Sequence, residues 1–404
     1  MTRMPASTFR LVLLISCAHA LVHMFELALP AVEQMIGDEY GVGKASTGAL
    51  GMVWRLPFGL GAVLAGFLAD RYGSRPLLIV YLIGCSITAV LARWAPSFNI
   101  LLLVMLAMGC FASIYHPAGL SLISRETTPE TRGSALGLHG IIGSLGIAGA
   151  PFGAMLLFSS GDLGWRDYYL ILTFPAMLIA GLLWLDELRH RKAIKASPIK
   201  PSPDAAPEEA ICWNRYLTLV SAGALSGFVY GAFMHFLPRY LDTAGLRPED
   251  WTPASFRNAL AAVVLVFGAI GQGIAGRLCR PGRLEFLLVV VLFGNVPPLL
   301  WMAFAEGPSR FVAACVLAVV HFMNQPVYNS LIAQHIPSSR RSLGYGFSNM
   351  MCFGIGAFGS LFAGQFDGES ADTIVYGCLA GIAAAAGLFA VYSMMIRDQK
   401  QQAA

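Results

Sequence analysis

Twelve apolar stretches, each long enough to cross a lipid bilayer as a helix, constrain this 404-residue chain more than any other feature. A helix needs about 20 largely apolar residues to cross roughly 30 Å of hydrocarbon. The stretches cover 9–33, 45–69, 76–93, 98–124, 133–158, 167–188, 214–241, 254–278, 284–304, 309–335, 342–366 and 373–396. No charged residue interrupts 76–92, 286–305 or 374–396. The sequence therefore predicts an all-α membrane protein with twelve transmembrane helices.

Charged residues are scarce and unevenly distributed. They make up 12% of the chain, about half the roughly 25% found in soluble domains. The net charge of +4 is too small to predict a nucleic-acid partner. If both termini are cytoplasmic, 19 of the 27 Lys and Arg residues lie inside and 7 outside, with Arg55 within a span, as the positive-inside rule requires. We expect a multi-pass protein of a plasma membrane, the inner membrane of a bacterium, with both termini cytoplasmic.

The spans divide into two sets of six around the longest hydrophilic stretch, residues 189–213, which contains four prolines. Such a composition is typical of a solvated linker. Around the fourth and fifth spans, Pro117, Arg132 and Gly137 recur in the second set as Pro326, Arg340 and Gly344. We predict two pseudo-symmetric six-helix bundles, residues 1–188 and 214–404, joined by a cytoplasmic linker. Repeated halves of this kind are typical of transporters.

The first span carries ionisable residues on one face. His19, His23 and Glu26 stand at i, i+4 and i+7. At about 1.5 Å per residue, Glu26 and Arg55 of the second span lie about 25 Å and about 22 Å from the same side of the membrane. We expect them to pair, either as a static salt bridge or as a pair whose protonation drives transport. Glu26, Arg55 and His23 are the candidates for proton coupling.

The loop after the second span has a recognisable sequence, Gly66-Phe-Leu-Ala-Asp-Arg-Tyr-Gly-Ser-Arg75. It resembles the signature that the major facilitator superfamily carries between its second and third helices, and the resemblance covers essentially the whole chain. It implies the major facilitator fold and a conformational latch formed by Gly66, Asp70, Arg71, Gly73 and Arg75. Asp70 is expected to be satisfied by the neighbouring half's helix N-terminus and the arginines. The alternative is a charge cluster that only sets topology.

Two further segments refine the resemblance. The fifth span is rich in glycine and loosely resembles the exporter motif of the superfamily, with Gly140, Gly149, Pro151 and Gly153 as helix-packing residues. The stretch Ser113–Pro117 and the histidine early in the first span are similar to fosmidomycin-resistance-type exporters.

In the superfamily fold, helices 1, 4, 7 and 10 line a central cavity, and each of these spans here carries a histidine. His19 and His116 both lie about 14–15 Å from the cytoplasmic side. Such histidines either bind substrate or are hydrogen-bonded packing residues. The candidate cavity residues, suited to a small molecule with apolar and polar parts, are His19, His23, Tyr115, His116, Tyr230, His235, His321, Asn324 and Gln325. His139 is left open as a gate or a spacer.

These observations favour a secondary active transporter that moves a small organic solute by alternating access. We expect proton-coupled efflux, that is, an antiporter. The alternative is proton-coupled uptake of a small organic anion or siderophore-like compound. A non-transporting membrane sensor and a membrane enzyme are alternatives of another class. We expect no enzymatic activity, no cofactor and no metal, and a monomer whose partners are the small-molecule substrate, protons and the lipid bilayer.

Overall fold

The computed structural model describes residues 4–196, 213–280, 282–336 and 341–396. Most of the predicted linker 189–213 and the repeat residue Arg340 lie outside the described residues. The described residues form fourteen helices and no strand. The helices are α1 (Ala6–Tyr40), α2 (Lys44–Tyr72), α3 (Ser74–Arg93), α4 (Phe98–Ala112), α5 (Tyr115–Glu126), α6 (Pro129–Leu157), α7 (Trp165–Ala196), α8 (Trp213–Asp242), α9 (Pro253–Leu278), α10 (Leu284–Gly294), α11 (Val296–Phe304), α12 (Ser309–His335), α13 (Arg341–Gly364) and α14 (Ala371–Met395).

Twelve helical segments of the described chain are long and apolar enough to span a membrane, which confirms the predicted fold class. Two of these spans contain a break. The pair α4 and α5 forms the span Phe98–Glu126, and α10 and α11 form Leu284–Phe304. Each break lies just before proline, at Pro117 and at Pro297–Pro298. Proline has no N–H and its ring clashes with the carbonyl four residues earlier, so the helix is interrupted there.

We call the end of the bundle at which α1 begins the near end, and the end at which α1 terminates the far end. Buried apolar residues form three clusters. One draws only on residues between Leu11 and Leu183, and another only on residues between Tyr216 and Ala390. The third joins residues of α1 and α6, such as Leu27 and Ile147, to residues of α8 to α14. The division into bundles at 188 and 214 is in keeping with these clusters and stays a prediction.

The glycines of α6 permit a close approach to α1, but at positions other than those predicted. A Cβ on Gly146 would lie 2.7 Å from the carbonyl carbon of Ala20, and one on Gly143 would collide with the His19 ring. By contrast, nothing lies within 4 Å of a Cβ on Gly140. The prediction for Gly140 is therefore wrong, because that residue lies on a face of α6 that no neighbour approaches.

The other three predicted packing residues of α6 are only loosely or ordinarily packed. A Cβ on Gly149 would lie 4.0 Å from the Met24 sulfur, and one on Gly153 would lie 3.5 Å from the Tyr168 ring, both ordinary van der Waals distances. Pro151 is buried inside α6.

Alanine at Gly146 and at Gly140 should have opposite effects on stability. We expect Gly146→Ala to destabilise the fold by about 1–3 kcal/mol, because the new methyl group overlaps the α1 backbone. Gly140→Ala should leave stability unchanged or raise it by up to about 1 kcal/mol, since alanine is the better helix former in open space. Thermal unfolding of both variants in one detergent tests this, and equal melting temperatures would contradict the packing of α6 on α1.

Candidate functional site

A hydrogen-bonded chain of buried side chains runs along the inward face of α1. The His23 Nδ1 atom lies 2.8 Å from Glu26 Oε2, and its Nε2 atom lies 3.1 Å from Nε2 of His19. The His19 Nδ1 atom lies 3.0 Å from the backbone oxygen of His139 on α6. The i, i+4, i+7 spacing on one helix is what places these three side chains in contact.

The predicted contact between Glu26 and Arg55 is present. Their Oε1 and Nη1 atoms are 2.9 Å apart, and both residues are at most 3% exposed. Neither atom makes a hydrogen bond of good geometry, so the pair is an ion pair without a directed N–H···O bond. The Arg55 guanidinium also lies over the Tyr230 ring of α8, 5.1 Å from its centroid. The pair keeps the site close to electrically neutral, and the aromatic face gives the cation a second partner.

Three aromatic residues surround the histidines. His139 stacks on His19 with ring centroids 4.0 Å apart, and Tyr115 stacks on the other side at 5.1 Å. The Tyr115 hydroxyl donates to the Ile15 carbonyl at 2.8 Å and lies 2.9 Å from Nε2 of His139. His116 meets the His19 and His23 rings at centroid distances of 5.4 Å and 5.6 Å. The structure thus brings together the predicted residues of the first and fourth spans, with His139 as an additional member.

The predicted residues of the seventh and tenth spans form separate contacts. His235 shares a hydrogen bond of 2.9 Å with the Thr47 carbonyl, and His321 one of 2.9 Å with the Asn295 side chain. Tyr230 stacks over His321 at 6.0 Å and is the residue that connects this group to Arg55. Each of these histidines is therefore already satisfied by a neighbour on another helix.

The two amides predicted for the cavity are also bonded to neighbouring helices. Asn324 donates to Ser226 at 3.0 Å, and Gln325 accepts from Gln272 at 2.5 Å. Gln272 in turn accepts from Ser144 of α6 at 2.5 Å. This chain connects α6, α9 and α12 at mid-depth.

Glu33 is a buried acid that the sequence analysis missed. Its carboxylate accepts two hydrogen bonds of 2.9 Å from Arg239 of α8 and one from Thr47 of α2. It lies seven residues after Glu26, on the same face of α1 as His19 and His23, and that spacing was a signal for it. Close by, Asp242 lies 3.5 Å from Arg257. Glu33 thus ties α1 and α2 to α8 at the far end.

Contacts between α1–α7 and α8–α14 are concentrated at this far end. Thr252 and Ser255 of α9 donate to the carbonyls at the end of α6, at 2.7 Å and 2.8 Å. Asn258 donates to the Ala31 carbonyl at 2.9 Å. Among the described residues, the hydrogen bonds and ion pairs that join the two sets of helices lie at the far end or at mid-depth. The structure is closed at the far end.

Removing the Glu33 carboxylate should weaken that closure. Glu33→Gln leaves Arg239 partly buried without its counter-ion, which favours conformations in which Arg239 reaches solvent. We expect spin labels at positions 45 and 246, in a cysteine-free background, to show a longer-distance population in double electron–electron resonance. Glu39→Gln is the matched control, because Glu39 pairs with Arg166 within the first set of helices. Identical distance distributions in Glu33→Gln and the parent protein would contradict this role.

The predicted latch lies at the near end. Asp70 pairs with Arg125 at the end of α5, 2.6 Å away, rather than with Arg71 or Arg75, and its side chain is 69% exposed. The Arg71 guanidinium lies over the Tyr72 ring, 5.5 Å from its centroid. An exposed pair of this kind adds little to stability.

Arg75 has the more buried position in the motif. It bridges Glu126 at 3.0 Å and Asp186 at 3.2 Å, joining α3 to α5 and α7. Gly73 adopts a φ of +92°, which side-chain-bearing residues rarely adopt, so this turn requires glycine. A Cβ on Gly66 would make only ordinary contact with Pro117, at 3.7 Å. The latch role of these five residues stays a prediction.

Arg75 and Asp70 should therefore differ in their effect on stability. We expect Arg75→Gln to destabilise the fold by about 3 kcal/mol, because it leaves Glu126 without its cation and Asp186 with only Arg10. Asp70→Asn should cost less than about 1 kcal/mol. Thermal unfolding in detergent compares the two variants directly, and an equal or larger loss for Asp70→Asn would show that Asp70 has a partner beyond Arg125.

Comparison with known proteins identifies relatives across most of the chain. The sequence profile described as Major Facilitator Superfamily matches residues 13–361. A probable L-galactonate transporter of Escherichia coli strain K12 is 24% identical over 68% of this chain and 62% of its own length, less than two thirds. The gentisate transporter of Corynebacterium glutamicum is 24% identical over 91% of this chain and 83% of its own.

The fold also has solved counterparts. The inward open conformation of the xylose transporter XylE from Escherichia coli superimposes with a TM-score of 0.76 at 13% identity, covering 97% of both chains. At that identity the likeness concerns the fold alone.

Proposed function

The chain belongs to the major facilitator superfamily, and from that premise we propose that it transports a small organic acid anion by alternating access, coupled to protons. Transport of small organic solutes is the activity of its relatives, and they are not enzymes. The observation that carries the proposal is Arg55, a buried cation at mid-depth that faces both Glu26 and the Tyr230 ring. A guanidinium can bind a carboxylate through two parallel hydrogen bonds, and the nearby rings suit an apolar body.

The relatives support an acidic cargo. L-galactonate and gentisate are both carboxylates, one a sugar acid and one an aromatic acid. The resemblance to fosmidomycin-resistance-type exporters is confined to short motifs in α1, α5 and α6. We therefore favour the organic anion among the cargoes that the sequence left open.

The charge of the cargo also bears on direction. Moving one negative charge into a cell against a membrane potential costs about 2.3 kcal/mol per 100 mV, whereas its exit is favoured by the same amount. Accompanying protons cancel that cost on entry. We therefore propose proton-coupled uptake rather than the proton-coupled efflux that the exporter-like glycine pattern suggested.

Arg55 variants in proteoliposomes test the proposal. With radiolabelled gentisate and an inward proton gradient, we expect accumulation that a protonophore abolishes. Arg55→Gln should lower it at least about tenfold, and Arg55→Lys should retain part of it, since lysine keeps the charge but not the two-pronged geometry. Arg191→Gln, which removes an exposed near-end arginine, is the matched control and should transport normally.

Two outcomes would overturn the proposal. Accumulation of gentisate, galactonate or other acids that is absent in the parent protein would reject the acid cargo, and accumulation only under an outward proton gradient would restore export. Arg55→Gln leaves Glu26 buried without its cation, so its folding needs a check. The double variant Glu26→Gln/Arg55→Gln keeps the site neutral and should also lose transport.

A further inference from the structure

The hydrogen bonds around His19 and His23 fix which of their ring nitrogens carry hydrogen. The His139 carbonyl can only accept, so Nδ1 of His19 is the donor in that 3.0 Å contact. The Glu26 carboxylate, paired with Arg55, also accepts, so Nδ1 of His23 donates to it at 2.8 Å. In the neutral rings both Nε2 atoms therefore carry lone pairs and no hydrogen.

These two lone pairs point at one another across 3.1 Å. Two acceptors at that distance repel unless a positive species lies between them. Either a proton is shared by the two nitrogens, or both nitrogens coordinate a metal ion. Ligand nitrogens of one tetrahedral zinc ion, each about 2.0–2.1 Å from the metal, are about 3.3 Å apart, close to the observed separation.

His116 distinguishes the two cases. One ring nitrogen of each of His19, His23 and His116 lies within 4.8 Å of the others. Nε2 of His116 is buried and has no hydrogen-bond partner among the described residues. A shared proton serves two nitrogens and leaves the third unsatisfied, whereas a metal ion serves all three. Closing the longest separation requires a modest movement of the His116 ring.

We propose that His19, His23 and His116 form a binding site for a divalent transition-metal ion. Imidazole ligands suit Zn²⁺, Cu²⁺ and Ni²⁺, and three of them leave a fourth position for water or a carboxylate. The second shell is already in place. Metal-bound histidines donate their other ring N–H to a carboxylate or a backbone carbonyl, as His23 does to Glu26 and His19 to His139. The site goes beyond the proposed transport function and differs from the expectation, drawn from sequence, that the protein binds no metal.

The test is direct metal binding by the purified full-length protein. The protein carries a tag without histidine, is stripped with a chelator and is dialysed against buffered ZnCl₂. We expect one zinc per chain by mass spectrometry of the metal. We also expect Co²⁺ to give the intense visible absorption of a tetrahedral site. His116→Asn and His23→Asn should each lose the cobalt spectrum and weaken zinc binding at least about tenfold.

Two further variants separate the site from non-specific binding. Glu26→Gln should lower zinc affinity about 10–100-fold, as loss of a second-shell carboxylate does elsewhere. His321→Asn removes a buried histidine that is bonded to Asn295 and should leave zinc binding unchanged. Variants are compared only when their thermal unfolding and elution profiles match the parent.

The proposal is overturned if the parent retains no zinc, in which case the two nitrogens share a proton. It is also overturned if His116→Asn binds as the parent does, or if His321→Asn loses as much affinity as His23→Asn. None of these readouts depends on transport, so failure of the metal site leaves the anion-transport proposal standing, and the reverse also holds.

Discussion

Hydrocarbon offers no hydrogen bonds, so every ionisable group placed in the middle of this bundle must find its partner inside the protein. The Glu26–Arg55 pair is where that constraint is most severe, because both side chains are almost completely buried. The two charges cancel, and the residues around them complete the set of partners. His23 bonds the second carboxylate oxygen, and the Tyr230 ring faces the guanidinium. A chain that is 12% charged can place charges at this depth only as such a closed group.

Glycine determines how closely the helices that carry this group can approach. His19 lies against α6 at Gly143, where any side chain would collide with its ring. At the far end, a Cβ on Gly48 of α2 would lie 2.6 Å from the Ser360 carbonyl oxygen of α13. Close backbone approach of this kind is the usual way in which membrane helices associate without a hydrophobic driving force. The polar group and the glycine contacts are therefore parts of one packing arrangement.

Sequence reasoning performed well wherever the required information lay along one helix. The twelve spans follow from apolar length, and the contact of Glu26 with Arg55 follows from counting rise per residue on two antiparallel helices. It failed where the answer depended on how a helix is rotated about its axis. Gly140 and Gly143 are three residues apart on α6, yet only Gly143 meets a neighbour.

The same limit applies to partners that lie on distant spans. Asp70 bonds Arg125, which lies 55 residues away on another helix, and Glu33 bonds Arg239, 206 residues away. Nothing in the local pattern names such a partner. Depth can be counted from a sequence, but the azimuth of a side chain is set only when all helices pack together.

The long first helix connects the histidine cluster to the far-end closure. His19, His23, Glu26 and Glu33 lie on one face of α1, with Pro30 between the last two. Pro30 cannot donate a hydrogen bond to the Glu26 carbonyl, so α1 has its weakest point between the buried pair and the closure. Opening the far end requires Glu33 to separate from Arg239 on α8, whereas Arg55 faces Tyr230 on that same helix. Movement of α8 relative to α1 and α2 therefore changes both contacts together. Because of this shared helix, occupancy of the mid-depth site and closure of the far end are physically linked.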